Sequence, residues 1–126
     1  MPIERPLAGD ALRFDLSEEE RRARDPAALA RTGRSARTLL KDGPLRMTLI
    51  VLSEGGEIPM HHTEGPMTLH VLRGDLQVRV EGVEYELGGG DLLAIGPGAA
   101  HALASGHGAS VLLTVAFEAG HGGSGP

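Results

Sequence analysis

The sequence predicts an all-β domain, a sandwich or barrel of many short strands with a short helical segment ahead of it. Two observations carry this. From Ser35 onward apolar residues recur at a period of two. Leu76, Val78 and Val80 alternate with Gln77, Arg79 and Glu81, and Val111, Leu113, Val115 and Phe117 alternate with Ser110, Leu112, Thr114 and Ala116. These runs are separated by turn-forming clusters at Asp42-Gly43-Pro44, Ser53-Glu54-Gly55-Gly56, Glu81-Gly82 and Gly88-Gly89-Gly90. Nineteen Gly and eight Pro in 126 residues act as punctuation between apolar runs, not as low complexity. So many strands would leave exposed edges unless the sheet closes or two sheets pack face to face.

In chain order, residues 1–16 read as an extended arm, with Leu12, Phe14 and Leu16 spaced to lie as a strand or strap on the barrel. Ser17-Glu18-Glu19-Glu20 fits a capping box, Ser17 as N-cap and Glu20 reaching back, so a short charged helix is expected through Arg24. Asp25-Pro26 offers a second N-cap with Pro in the first helical position, and Gly33 a stop. Both helices are polar and are expected at the surface. Strands are expected over 35–42, 45–53, 67–73, 75–81, 83–88, 91–95, 101–104 and 109–117. The organisation is thus an arm with helices (1–34), a barrel (35–118) and a tail (119–126) without apolar residues after Ala119, expected to be flexible.

Composition narrows the function. Cysteine is absent, which excludes a disulfide scaffold, a thiolate metal site and a catalytic thiol. Two Phe, one Tyr and no Trp make a base-stacking platform implausible, and a net charge of -5 disfavours a phosphate-backbone partner. No nucleic-acid partner is expected. No apolar run approaches the roughly 18 residues of a membrane span, and Met1-Pro-Ile-Glu-Arg-Pro6 holds no apolar signal core, so a cytoplasmic location is expected. Gly88-Gly89-Gly90 precedes a strand signal and lacks a following Lys-Ser/Thr, so it is no phosphate loop. No Ser sits in a nucleophile elbow. Glu81, Glu84 and Glu86 read as a solvated hairpin face, and Arg21, Arg22 and Arg24 as helix ion pairs with the preceding glutamates.

Of six His, His107 and His121 lie in Gly-rich loop and tail sequence and read as solvated. The other four fall in two informative stretches. The first runs from Gly56 through Met60-His61-His62-Thr63-Glu64-Gly65-Pro66-Met67-Thr68-Leu69-His70 to Val71-Leu72-Arg73-Gly74. The second is Gly90-Asp91-Leu92-Leu93-Ala94-Ile95-Gly96-Pro97-Gly98-Ala99-Ala100-His101. Together, over about residues 45–117, they resemble the two motifs of the cupin superfamily, small single-domain type. The resemblance implies a double-stranded β-helix, or jelly roll, and a homodimer formed through N-terminal strands.

The first motif is degenerate. Aligned on Gly56 and Gly74, the family's two His positions fall on His61 and Thr63, and its Glu on Met67; in the second motif its His falls on His101 and its Asn on Ser105. Of the four usual ligand positions only His61 and His101 keep a ligand, whereas Zn, Fe, Mn or Ni generally wants three or four protein donors. His62, Glu64 or His70 would have to complete the set. On a regular strand His62 points away from His61, unless a bulge after Pro59 turns it inward, and His70 has the wrong parity to share the Met67 face.

The expected function is therefore small-molecule binding in the barrel, at a site including His61, Thr63, Met67, Leu69 and His101, with weak or no metal binding and no assigned catalysis. The alternative is a metal-dependent enzyme of oxygenase or isomerase type, with His61, His101 and His62 as ligands. A purely structural module would instead fill the interior with Met67 and Leu69.

Overall fold

The computed structural model describes residues 5–117. The expected tail and His121 lie outside the described residues. Two helices, α1 (Leu16–Ala23) and α2 (Pro26–Thr32), precede eight strands: β1 (Arg34–Asp42), β2 (Leu45–Leu52), β3 (Glu57–His61), β4 (Met67–Val80), β5 (Val83–Gly88), β6 (Leu92–Ile95), β7 (His101–Ala104) and β8 (Ala109–Ala116). The all-β class predicted from periodicity holds, and the strands are antiparallel throughout.

One sheet runs β1-β2-β8-β4-β6 and the other β5-β4-β7-β3, so β4 belongs to both. The two strands expected over 67–73 and 75–81 are one continuous strand. Its first half pairs with β6 and β8, its second with β5 and β7. Gly74, at φ 89°, sits at the changeover. A bulge between Val71 and Arg73 shifts the parity, so that Met67, Leu69 and Val71 and then Leu76, Val78 and Val80 all face the same interior. The hairpin to β5 turns at Glu81 and Gly82, both at positive φ, the geometry that joins twisted strands in two residues.

Two apolar layers result. Ile50, Leu52, Met67, Leu69, Val71, Leu76, Val78, Leu103, Val111 and Val115 fill the space between the sheets. On the outer face of the first sheet, Leu39, Leu49, Val51 and Leu112 pack with Ala23, Phe14 and Leu16. The residues ahead of α1 form the expected strap: the Lys41 amide donates to the Leu7 carbonyl at 2.8 Å, and Arg5 reaches the Thr38 and Leu39 carbonyls.

Three expectations need correction. The cap of α1 is Asp15, whose carboxylate accepts the Glu18 amide at 3.3 Å, and not Ser17; starting two residues earlier puts Leu16 onto the sheet. Glu20 does not fold back into a capping box, because its carboxylate is drawn to the Ser110 hydroxyl and to Arg73 at 3.1 Å. The helical region is also not wholly at the surface, since Glu19, Glu20 and Ala23 are buried against the sheet. α2 follows expectation, with Asp25 capping and Gly33 ending it at φ 79°.

Strand β3, absent from the predicted set, is short, lies at a sheet edge and contains a proline. Among the described residues no helix is long and apolar enough to cross a membrane.

Candidate functional site

His61 and His101 come from neighbouring strands of the second sheet. In β3–β7 register Ile58 opposes Leu103, but the next aligned pair is His61 with His101. Three steps along β3 match two along β7, so Pro59 and Met60 hold one extra residue. Pro59 has no amide to give to a ladder and is tolerated where pairing lapses, at an edge or a bulge. The consequence is a change of parity. Without the bulge His61 would face away from Ile58; with it, both face the interior beside Leu103 and His101. The bulge considered for His62 thus turns His61 inward instead.

The two rings meet Nε2 to Nε2 at 3.1 Å, with centroids 4.2 Å apart and planes at 64°. Each Nδ1 lies against a backbone carbonyl two residues earlier, His61 on Pro59 at 2.9 Å and His101 on Ala99 at 3.0 Å. A carbonyl oxygen only accepts, so both Nδ1 atoms carry the proton. Two neutral rings would then face each other with Nε2 lone pairs, and the contact is favourable only with a proton or a cation shared between them. His101 is 1% exposed. Burial holds its imidazole below the ordinary value; the Ala99 carbonyl opposes this, and nearby His61 and His62 add to the depression.

A cavity of about 620 Å³ adjoins His61. It lies where the sheets part, between the edge strands β1 and β3. Ala36 pairs with Ile50 and Thr38 with Thr48, so this face of β1 looks inward, yet Arg34, Ala36 and Thr38 are exposed because β3 does not reach across to cover them. Arg34, Ala36, Thr48, Ile50, Ile58, Met60 and His61 line the space.

The other candidates are distributed around this site. Thr63 is half-buried, its hydroxyl on the Gly65 carbonyl at 3.2 Å and near the Met67 sulfur at 3.5 Å. Met67 and Leu69 are buried in the interior core and do not line the cavity. His62 and Glu64 are exposed beyond the end of β3. His70 pairs with Leu92 and Leu112 on the outer face of the first sheet, away from the His pair. Ser105 is buried in a loop lock: its hydroxyl donates to the Asp75 carbonyl at 2.6 Å and accepts the Gly108 amide at 2.8 Å. His107, read as solvated, is exposed and meets the Asp75 carboxylate at 3.3 Å. Sequence reasoning missed Arg34, Ala36, Ile50 and Ile58. Their alternation was readable, but not the separation of the two sheet edges that bares them.

The donor set can be tested against a metal ion. The Nδ1 contacts to carbonyls orient both imidazoles as metal-bound histidines are usually oriented. Their 3.1 Å spacing lies within the roughly 2.9–3.4 Å expected of two nitrogens sharing one ion. The count falls short: among the described residues no group of three or more His, Cys, Asp or Glu is placed to hold an ion. Two nitrogens fit one side of a coordination sphere, and among the described residues no third His, Cys, Asp or Glu completes it.

A family model described as "Cupin domain" matches residues 48–117. No curated protein sequence matches the chain. Among solved structures, a conserved protein of unknown function from Streptococcus pyogenes is 23% identical, with a TM-score of 0.70 over 88% of this chain and 91% of that one. An RmlC-like cupin from Shewanella frigidimarina is 24% identical, with a TM-score of 0.65 over 68% of this chain and 77% of that one. A salicylate 1,2-dioxygenase from Pseudoaminobacter salicylatoxidans, solved with gentisate, is 15% identical, with a TM-score of 0.72 over 82% of this chain and 32% of that one. At these identities the likeness is one of fold.

Proposed function

The chain belongs to the cupin domain family, and from that premise we propose that it binds a small molecule in the cavity beside His61 and need not be a catalyst. The family sets the barrel and not the chemistry, which has to be argued from the site. The observation that carries the reading is a cavity of about 620 Å³, mostly apolar in its lining, that ends at an oriented imidazole pair. Small-molecule sites combine a concave apolar wall with a few placed polar groups in this way, in a similar range of volumes.

The residues divide the work. Ile50, Ile58 and Met60 offer apolar surface from which a ligand displaces water. His61 borders the cavity with Nδ1 on the Pro59 carbonyl and Nε2 on His101, so its held ring sets a polar edge at the end of the apolar wall. His101 sits behind and orients it. The test is a fragment panel of neutral and charged compounds followed by ligand-observed NMR. Ala36→Trp, which fills the cavity from β1, is expected to abolish the hits while the far-ultraviolet spectrum stays that of the wild type. Hits that survive Ala36→Trp would place binding elsewhere.

A second reading is favoured by one observation, the anchoring of both Nδ1 atoms. It is a metal-dependent enzyme in which His61 and His101 hold Zn, Fe, Mn or Ni and further donors come from His62 or from the substrate. A bound ion would supply Lewis-acid or redox chemistry; the chain's part would be to orient two nitrogens and present the apolar wall. One metal per chain in protein purified without chelator, lost in His61→Ala and in His101→Ala, would decide for this reading.

A further inference from the structure

We infer that the cavity takes a small monocarboxylate, with its carboxylate on Arg34 and its apolar body along Ile50, Ile58 and Met60. The inference rests on the small-molecule reading above and adds the chemical class.

Arg34 stands on the barrel side of β1. It pairs with Leu52, one register step of two from Ala36 and Ile50, and both Ile50 and Leu52 belong to the interior core. Its Nη1 donates to the Glu57 carbonyl at 3.3 Å, so the guanidinium reaches from β1 to β3 and borders the mouth at the end opposite His61. A guanidinium carries five N–H donors, and this contact uses one. Among the described residues Arg34 is in no salt bridge, unlike Arg37, which meets Glu19 at 2.7 Å, and Arg79, which meets Glu84 at 2.8 Å. Among the described residues no Asp or Glu lines the cavity.

Among the described residues the lining therefore carries the fixed positive charge of Arg34, no carboxylate and a mostly apolar wall. A guanidinium fork with unused donors matches a planar carboxylate through two parallel hydrogen bonds. One cation complements a monoanion; a phosphate dianion would be left half compensated. The apolar wall between Arg34 and His61 requires a hydrocarbon body, which excludes formate-sized ions as good ligands. The anion belongs at the Arg34 end because the guanidinium keeps its charge and has unused donors, whereas the Nε2 of His61 is taken up by His101.

Matched probes test this at pH 7.5, where the acids are ionised: hexanoate and benzoate against hexanamide and benzamide, titrated by isothermal calorimetry. Each acid is expected to bind the wild type about tenfold or more tightly than its amide. Arg34→Met, which keeps the stem and removes the charge, is expected to erase that preference, and Ala36→Trp to remove binding of both. Equal binding of acid and amide, an acid preference that survives Arg34→Met, or no binding of any acid would overturn the carboxylate class. Amides that bind at least as tightly as their acids and are lost in Ala36→Trp would overturn the class while sustaining the cavity reading. Failure of the whole fragment panel would end the cavity reading itself.

Discussion

Glu20 is a charge held from several sides. It is 7% exposed, and its carboxylate meets the Ser110 hydroxyl, Arg73 at 3.1 Å and Arg24 at 3.4 Å. Burial alone would raise its carboxyl; the Ser110 hydroxyl first, then Arg73 and Arg24, outweigh burial and hold it below the ordinary range. A carboxyl lowered by folding binds fewer protons in the folded chain than in the unfolded one. Its contribution is therefore present above its unfolded value, about 4.3, and is lost as pH falls through the lower folded value. Glu20→Gln is expected to cost about 1–3 kcal/mol at pH 7, and the gap from the wild type should narrow below about pH 4. Urea unfolding of both proteins across that range measures it. The same residue shows how a sequence misleads locally. Its spacing from Ser17 satisfies a capping box, but the competing partner, Ser110, is ninety positions away.

At the level of the element, β4 and β3 teach different lessons. β4 is continuous because Gly74 lets it bend from one sheet into the other. At φ 89°, with an added Cβ only 2.0 Å from the Gly108 carbonyl oxygen, no other residue fits without backbone movement. Gly74→Ala is expected to lose more than about 2 kcal/mol, read as a lowered urea midpoint, whereas Gly43→Ala, where a Cβ meets nothing within 4 Å, should lose less. From sequence, Gly74 reads equally well as a turn between two strands, since a glycine shows permission to bend and not the angle. In β3 the convergence of His61 and His101 was legible from the motifs. The bulge that achieves it was not, because a proline signals interrupted pairing without saying which neighbour is displaced.

For the whole molecule, the strap and the strands other than β3 could be read in the chain, with β4 read as two, because each obeys a local period. The cavity could not, since it arises where two edges fail to meet, a relation among β1, β2 and β3 that no single segment encodes. The homodimer implied by the family resemblance stands as a proposal at this scale. Light scattering is expected to give twice the chain mass at micromolar concentration, and a monomer mass there would remove it. Leu92, 64% exposed on β6, and Val83, 52% exposed on β5, are apolar surface that a second copy could cover.

The parting of β1 from β3 has a kinetic consequence. Among the described residues nothing covers the way to Arg34 or His61, so on the proposed reading a guest arrives at a rate set by diffusion and leaves at one set by contact strength. A binder of that kind would fill and empty in step with the surrounding concentration, which suits a reporter of supply better than a store.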